Sequence, residues 1–145
     1  MATVRDMIRK KGGDVFSIAP EATVYEALAL MAEHNTGALL VKSGEETAGI
    51  ISERDCVRKV ELKGRNVKDT KVSDIMTKDV ITVSCDQPLE ECESLMMEKG
   101  IRHLPVYEGN ELVGFLSVRD VLREMIELQQ SMLSQLERYI IGGGR

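Results

Sequence analysis

One short pattern occurs twice in the chain: GIISERD (Gly49–Asp55) and GFLSVRD (Gly114–Asp120). In each copy an apolar run ends at a serine, and an aspartate follows three residues later. An apolar strand followed by Ser-x-x-Asp predicts the start of a helix, because serine is a favoured N-cap residue and the acid completes a capping box. The two copies lie 65 residues apart in a chain of 145 residues. Each copy therefore belongs to about half of the chain.

The repetition extends well beyond these seven residues. Residues 14–60 align with residues 79–125 without a gap. Identical pairs along that alignment include Glu26/Glu91, Leu39/Leu104, Val41/Val106, Gly44/Gly109 and Arg58/Arg123. Upstream, VRDMI (Val4–Ile8) matches VSDIM (Val72–Met76), and three additional residues follow the first of these in the polar segment RKKGG. Two copies are too few for a solenoid, so we expect a pseudo-symmetric pair.

Both repeats have the same predicted order of elements. A short apolar strand, VFSI (15–18) or VITV (80–83), precedes a helix with apolar residues at helical spacing. Two apolar runs around a Gly-containing turn then predict a β-hairpin. A second helix begins after Ser52 or Ser117. The predicted fold class is therefore α+β, with the order β-α-β-β-α in each repeat.

The last helix is longer than its counterpart in the first repeat. From Val118 to about Ile141, apolar residues recur at helical spacing, and GGGR follows to end the helix. They are Val121, Leu122, Met125, Leu128, Met132, Leu133, Leu136 and Ile140. An apolar stripe on a protruding helix has to be covered. The chain's own surface is one possible cover; we favour a second copy, and hence a homodimer.

Composition restricts the classes of partner and compartment. The formal net charge is −5, whereas nucleic-acid binding needs a basic face. The basic runs RKK (9–11) and KGR (63–65) are interpreted as solvated loop charges. No apolar stretch approaches the roughly 20 residues of a membrane helix, and the N-terminus has no apolar signal region. We therefore expect a cytoplasmic protein without nucleic-acid or membrane partners, whose three cysteines are small buried apolar residues.

The segments VSDIMTKDVITV and GIRHLPVYEGNELVGFLSVRDVL, with weaker versions in the first repeat, resemble the CBS domain named after cystathionine β-synthase. The whole chain resembles a free-standing tandem CBS pair, or Bateman module. We accordingly divide it into repeat 1 (4–62), a linker (63–71), repeat 2 (72–126) and a C-terminal helix extension and tail (127–145). The resemblance implies an energy-sensing regulatory module that binds an adenosine compound in clefts between the repeats. AMP, ADP, ATP and NAD(H) are the expected ligands, and S-adenosylmethionine is less favoured.

The resemblance gives the two Ser-x-x-Asp patterns a second interpretation. In CBS domains the matching aspartate binds the ribose and the serine lies beside the ribose or phosphate, which implies these roles for Asp55 with Ser52 and for Asp120 with Ser117. A carboxylate accepts hydrogen bonds only, so it can hold both ribose hydroxyls. A purely structural capping box remains the alternative, and the two interpretations are compatible.

The strand that opens each hairpin differs between the repeats. Arg102 and His103 stand in the second repeat where Gly37 and Ala38 stand in the first. The resemblance implies that basic residues at this position reach across the pseudo-twofold axis towards the other repeat's nucleotide. We therefore predict a more cationic, phosphate-binding site at Asp55 and a roomier, less charged site at Asp120.

Further candidates follow from the same resemblance. Arg54 and Arg119 lie beside the aspartates and are either phosphate contacts or solvated surface residues. The family packs and binds adenine at the positions that correspond to Ser17, Ile18, Thr82 and Val83, mainly through backbone groups.

These features bear on three classes of function. The favoured one is an adenosine-nucleotide sensor that acts on a regulated protein which the sequence does not name. The alternative is a dimerising interaction module without physiological nucleotide binding. An enzyme is not expected, because the sequence contains no P-loop, GxSxG or HExxH motif and the enzymes that contain CBS domains owe their activity to other domains. No catalytic cofactor or metal is expected either.

Overall fold

A computed structural model describes residues 2–143. The chain forms two compact units. One joins the N-terminal segment up to Gly13 to the chain from Thr82 onward, and the other is the continuous stretch Asp14–Ile81. The elements in chain order are α1 (Val4–Lys11), β1 (Ser17–Ile18), α2 (Val24–His34), β2 (Ala38–Ser43), β3 (Glu46–Ser52), α3 (Glu53–Lys59), a 3₁₀ turn (Glu61–Lys63), α4 (Val72–Ile75), β4 (Val83–Ser84), α5 (Leu89–Lys99), β5 (His103–Glu108), β6 (Glu111–Ser117), α6 (Val118–Arg138) and a π-helical turn (Tyr139–Gly143).

The predicted α+β class and the order β-α-β-β-α are confirmed in both repeats. Each repeat has a three-stranded sheet, in the order β1-β2-β3 or β4-β5-β6, with a parallel first pair and an antiparallel hairpin. The register of both hairpins shifts at the same place, after Val41 and after Val106. The first strand of each repeat has only two residues, which is shorter than the four-residue apolar runs suggest.

The core of the unit Asp14–Ile81 is aliphatic. Helix α2 places Val24, Ala27 and Met31 on one face, at the i, i+3, i+7 spacing of an amphipathic helix. This face packs in one cluster with buried residues of β2, β3, α3 and α4. They are Leu39, Val41, Ile51, Cys56, Val60, Val72 and Ile75. Burial of such side chains stabilises the fold by about 1.5–3 kcal/mol each.

The other unit is built in the same way, and it includes α1 from the start of the chain. Val4 and Met7 of α1 are buried, and the N–H of Val4 donates to the Gln87 carbonyl over 3.0 Å. The remaining buried apolar residues come from β4 to α6. They are Val83, Cys85, Leu89, Cys92, Met96, Leu104, Val106, Phe115, Leu116 and Val121.

The packing units thus differ from the sequence repeats in their leading helices. Helix α1 precedes repeat 1 but packs with β6 of repeat 2, and α4 precedes repeat 2 but packs with α3 of repeat 1. Two glycines permit this close approach. A Cβ at Gly49 would lie 2.6 Å from the Thr77 carbonyl oxygen, and a Cβ at Gly114 would collide with the end of the Ile8 side chain.

The second half of α6 is exposed in the single chain. Leu133, Leu136 and Ile140 retain 59%, 55% and 73% of their surface. The α-helix ends at Arg138 and continues as the π-helical turn to Gly143. The predicted long helix is thereby confirmed, while the last two residues of GGGR lie outside the part of the chain that the structure describes.

Candidate functional site

The first Ser-x-x-Asp pattern forms a reciprocal ring of hydrogen bonds at the start of α3. The backbone N–H and the hydroxyl of Ser52 donate to Asp55 Oδ2 over 3.1 and 3.0 Å, and the Asp55 N–H donates to Ser52 Oγ over 3.1 Å. The capping-box interpretation is therefore correct. The ring fixes the carboxylate through Oδ2, and the other oxygen, Oδ1, points away from it. We call this group, with Gly37 and Ala38 beside it, the Asp55 corner.

The second pattern repeats this geometry at the start of α6. The N–H and hydroxyl of Ser117 donate to Asp120 Oδ2 over 2.8 and 3.0 Å, and the Asp120 N–H donates to Ser117 Oγ over 3.2 Å. The side chains of Asp55 and Asp120 retain 15% and 16% of their surface. Both carboxylates are therefore held in place and still reachable from solvent. We call this second group, with Arg102 and His103, the Asp120 corner.

The hairpin-opening positions belong to the same corners through their backbone. In the antiparallel register Ala38 faces Ser52, and His103 faces Ser117. The Gly37 carbonyl accepts the N–H of Glu53, the first residue of α3, over 3.0 Å. The Arg102 carbonyl likewise accepts the N–H of Val118 over 2.8 Å. These bonds satisfy one of the donors that a helix N-terminus leaves without a helical partner.

Each carboxylate has a lysine partner that was not predicted from the sequence. The Lys59 ammonium lies 3.1 Å from Asp55 Oδ1 and donates to the Ile75 carbonyl over 2.9 Å. The Lys11 ammonium lies 2.6 Å from Asp120 Oδ2 and donates to the Phe115 carbonyl over 2.6 Å. The interpretation of the run 9–11 as solvated loop charges is therefore wrong. Its residues form the last turn of α1, where cations also favour the helix dipole.

The two lysines come from different places in the sequence. Lys59 is four residues from Asp55 on the same helix, a spacing that favours an ion pair. Its equivalent in the second repeat is an acid, Glu124, which pairs with Lys10 of α1 over 2.9 Å. A reader of the sequence could have found the Asp55–Lys59 pair. The partner of Asp120 is 109 residues away, so no local pattern indicates it.

Threonine 77 is a further contact of the Asp55 corner. Thr77 and Ile50 exchange backbone hydrogen bonds of 2.8 and 2.9 Å. This bridge brings the Thr77 hydroxyl to 3.5 Å from Asp55 Oδ1, at the outer limit of a hydrogen bond. The hydroxyl is therefore a second polar group, after the Lys59 ammonium, beside the Asp55 oxygen that lies outside the capping ring.

Opposing effects act on the Asp120 carboxyl. Burial raises its pKa, but the hydrogen bond from Lys11 and the N–H of Ser117 outweigh burial, so that the net pKa lies below its ordinary value. Asp120 is therefore ionised at neutral pH. An ionised carboxylate is an acceptor only, which is the state that a pair of ribose hydroxyls would need.

His103 is not a cation in this environment. Burial and the positive charge of Lys11 lower the pKa of its imidazole, the charge of Asp120 acts in the opposite direction, and the net pKa is about 4. The ring stacks on Phe115 with 5.5 Å between centroids. At neutral pH it offers one donor and one acceptor nitrogen and no charge. The prediction that His103 supplies positive charge is therefore wrong.

The remaining candidates are placed as follows. Arg54, Arg119 and Arg102 have exposed side chains. β1 pairs through Ser17 with Leu40 and through Ile18 with Val41, so these two residues lie across β2 from β3 and further along the strand than Ala38. Thr82 immediately precedes β4, and Val83 is buried and pairs with Val106. The ligand-binding roles of these residues stay predictions.

Neither metal nor redox chemistry is indicated in the described chain. Cys56, Cys85 and Cys92 are buried free thiols, as expected. Burial raises the pKa of Cys56 and Cys92 to about 11, so both stay protonated and unreactive at neutral pH. Within residues 2–143, no three His, Cys, Asp or Glu side chains converge on a possible metal site. None of the helices there has the length and apolar character needed to cross a membrane.

Comparison with known proteins identifies the family. The CBS domain model matches residues 4–62 and 72–127. A mitochondrial CBS domain-containing protein of Arabidopsis thaliana, CBSX3, is 39% identical over 97% of this chain and 73% of its own. The solved structure of a putative signal-transduction protein with CBS domains from Burkholderia ambifaria is 40% identical, with a TM-score of 0.84 over 87% of this chain and 95% of that one.

Two further solved structures resemble this chain at lower sequence identity. A hexameric CBS-CP12 protein from bloom-forming cyanobacteria is 31% identical, with a TM-score of 0.75 over 83% of this chain and 66% of that one. The CBS domain pair of protein MJ0100, solved with 5′-methylthioadenosine and S-adenosylmethionine, is 22% identical over 86% of this chain and 96% of that one, with a TM-score of 0.75. The latter likeness concerns the fold alone. The chain belongs to the CBS domain family, and it contains two CBS domains in tandem.

Proposed function

We propose that this CBS pair is a regulatory sensor that binds an adenosine nucleotide, AMP, ATP or NAD(H), through its two corners. CBS pairs are regulatory modules whose ligands often contain adenosine. The observation that carries the proposal for this chain is the pair of carboxylates held in identical rings of hydrogen bonds. A structural cap alone needs only one oxygen of each aspartate.

The chemistry of the corners suits a ribose. Asp55 Oδ1 and Asp120 Oδ1 are free of the capping rings, and an acceptor there can take hydrogen bonds from vicinal hydroxyls. Ser52 and Ser117 fix the carboxylates and lie next to the sugar. A charge-assisted hydrogen bond contributes about 1.5–3 kcal/mol, which corresponds to a change in Kd of about 10- to 150-fold.

Secondary roles follow from position. Gly37 and Ala38 are small and uncharged, whereas Arg102, Arg54 and Arg119 supply exposed guanidinium groups for phosphates. His103 contributes a neutral hydrogen-bonding ring. Adenine would meet the backbone around Ser17 and Ile18 in one repeat and around Thr82 and Val83 in the other. S-adenosylmethionine is the less favoured ligand, and no catalytic cofactor enters the proposal.

Calorimetric titration with AMP, ATP, NAD(H) and S-adenosylmethionine tests the assignment. Asp55→Asn and Asp120→Asn are the informative variants, because asparagine keeps an oxygen for the cap but places donors where the ribose needs an acceptor. Asp79→Asn, an exposed acid outside both corners, is the control. We expect each corner variant to weaken binding about tenfold or more and the double variant to abolish it.

Two results would contradict the proposal in different ways. If no ligand bound at millimolar concentration to the unmodified protein, the sensor function would be wrong. If binding survived in the double variant, the sensor function would stand and the residues would be misassigned.

We also propose a homodimer formed through α6. Leu122, Ile126, Leu133, Leu136 and Ile140 are exposed, and their 4-7-3-4 spacing places them on one stripe of the helix. The hexameric neighbour shows that proteins of this fold form assemblies. A dimerising interaction module without a physiological nucleotide is the alternative function, which the titrations above would favour if they failed.

The mass in solution tests the dimer. The double variant Leu133→Glu with Leu136→Glu should be a monomer in analytical ultracentrifugation. Each chain would otherwise bury two carboxylates in the interface between the α6 helices. Ser131→Glu, on the opposite side of α6, is the matched control. A dimer that persists in the double variant, or an unmodified chain that sediments as a monomer, would refute the role of α6. A mass of six chains would point to a hexamer instead.

The expected cytoplasmic location stays a prediction, since the related Arabidopsis protein is mitochondrial. The regulated protein is a further proposed partner that nothing in the chain identifies, and catalysis forms no part of the proposal.

A further inference from the structure

We propose that Lys11 determines which ligand charge the Asp120 corner accepts, favouring an adenosine compound with a phosphate next to its ribose over the neutral nucleoside. This inference rests on the proposed nucleotide binding. It also opposes the prediction from the sequence that the Asp120 site is the less charged one.

Among residues 2–143, the Lys11 ammonium has fewer hydrogen-bond partners than it has donors. Its ammonium has three donors. Two are accounted for by the Phe115 carbonyl oxygen and Asp120 Oδ2, each at 2.6 Å. The Lys11 side chain retains 39% of its surface, so a ligand at Asp120 can reach the ammonium. The cation therefore contacts Oδ2 of the same carboxylate whose other oxygen, Oδ1, would bind a ribose.

A neutral and an anionic ligand would affect this ion pair differently. Ribose hydroxyls would donate to the carboxylate that already pairs with Lys11. A neutral nucleoside offers the ammonium no charged acceptor in exchange. A phosphate next to the ribose supplies a charged acceptor, so that Lys11 keeps a partner while the carboxylate turns to the sugar. Weakening of the Lys11–Asp120 ion pair therefore costs the binding of the nucleoside more free energy than the binding of the nucleotide.

Lys11 is presented from a fixed position. Lys10, its neighbour, pairs with the buried Glu124, and Arg5 at the other end of α1 pairs with Asp86 and Glu108 over 3.0 and 2.8 Å. With α1 anchored at both ends, its last residue has little freedom to leave the corner. The lysine of the Asp55 corner differs, because Lys59 belongs to the same helix as the carboxylate.

Ligand selectivity in a single-corner protein is the test. AMP and adenosine are titrated into three proteins that all carry Asp55→Asn: one with the natural Lys11, one with Lys11→Met and one with Lys11→Arg. We expect Lys11→Met to weaken AMP about tenfold, the effect of one charge-assisted hydrogen bond, with adenosine unchanged or tighter. Lys11→Arg should restore the preference for AMP. Equal weakening of both ligands, or unchanged AMP binding, would overturn the proposal.

Lys10→Met is the matched control, because it removes a cation one residue away that pairs with Glu124 and not with Asp120. Its ratio of AMP to adenosine affinity should stay that of the background. A change as large as that in Lys11→Met would mean that the position of α1, and not the charge of Lys11, sets selectivity. If neither ligand bound even the unmodified protein, the proposed function itself would have failed.

Discussion

The Asp55 corner and the Asp120 corner have the same ring of hydrogen bonds and a different supply of positive charge. Each aspartate is joined to its serine by the same three hydrogen bonds, and each carboxylate contacts a lysine that also donates to a backbone carbonyl. At Asp55 that lysine is local, four residues along α3. At Asp120 it is the last residue of α1, from a different part of the chain.

Both corners contain a carboxylate–lysine pair, but the lysine comes from a different part of the chain in each. Where the first repeat has Lys59, the second has Glu124, and an acid there cannot neutralise Asp120. Two lysines of α1 compensate, one for Glu124 and one for Asp120. The second corner therefore depends on the docking of a distant helix, and the first does not.

The largest expected difference between the two halves lies at their paired glycines. In Gly49→Ala the new methyl group meets the Thr77 backbone carbonyl, which is held by the bridge to Ile50. In Gly114→Ala it meets the end of the flexible Ile8 side chain. We expect losses of unfolding free energy of about 2–3 kcal/mol for Gly49→Ala and about 1 kcal/mol for Gly114→Ala, measured by urea denaturation.

An Ile8→Ala change combined with Gly114→Ala provides the control. Shortening Ile8 removes the collision, so the double variant should be more stable than the sum of the two single changes predicts. Equal losses for the two glycine variants would contradict the view that α1 adapts and the Thr77 segment does not.

The second prediction concerns the loss of stability at acid pH. Only the Asp120 corner contains a histidine, His103, whose protonation should contribute to that loss. Since the folded-state pKa of His103 is about 4 and its ordinary value is 6.5, the unfolded chain binds a proton in this window that the folded chain does not. Stability is thus full above pH 6.5 and should fall by on the order of 2–3 kcal/mol down to pH 4. Urea denaturation at intervals between pH 7 and pH 4 measures the decrease.

His103→Asn should remove most of that slope, whereas His34→Asn should keep it because His103 is still present. The carboxyl of Asp120 does not interfere: its folded pKa lies below 3.8, so its contribution is lost only at more acid pH. A slope that persists in His103→Asn would show that the imidazole is not the group responsible.

The smallest expected effects compare the lysines themselves. Lys10→Met leaves Glu124, with 9% of its side-chain surface exposed, without its cation, and should lower the Tm more than Lys59→Met does. Lys59→Met breaks an i,i+4 pair on a more open surface and should cost about 0.5 kcal/mol. Thermal denaturation at low and high salt measures both, and salt should reduce the second difference further. A larger cost for Lys59→Met would reverse the comparison.

Much of the fold could be predicted because its signals are local and occur twice. The hairpins, the capped helices and the apolar faces of α2 and α5 each depend on residues within a few positions of one another. The exchange of α1 and α4 between the repeats could not be predicted in this way, because neither helix carries a mark of its partner. The three extra residues after VRDMI mark where the two repeats differ in length. They do not indicate that α1 packs with repeat 2.

The site was predictable to the same extent. The Ser-x-x-Asp pattern and the family resemblance led to Asp55 and Asp120. The lysines that pair with these aspartates differ in their separation along the sequence. Lys59 could be inferred from helical spacing, whereas Lys11 could not. The protonation of His103 also escaped the sequence, since burial in β5 and a neighbouring cation set its pKa.

The discontinuous unit has a consequence for the order of folding during synthesis. The stretch Asp14–Ile81 can complete its core once Ile81 has left the ribosome. Helix α1, although it is made before everything else, has to wait with Val4 and Met7 uncovered until β6 and α6 exist. At about 5–20 residues per second that delay is on the order of 5–20 seconds. The segment translated first is therefore among the last to be packed, and the Asp120 corner receives its lysine only when nearly the whole chain has been made.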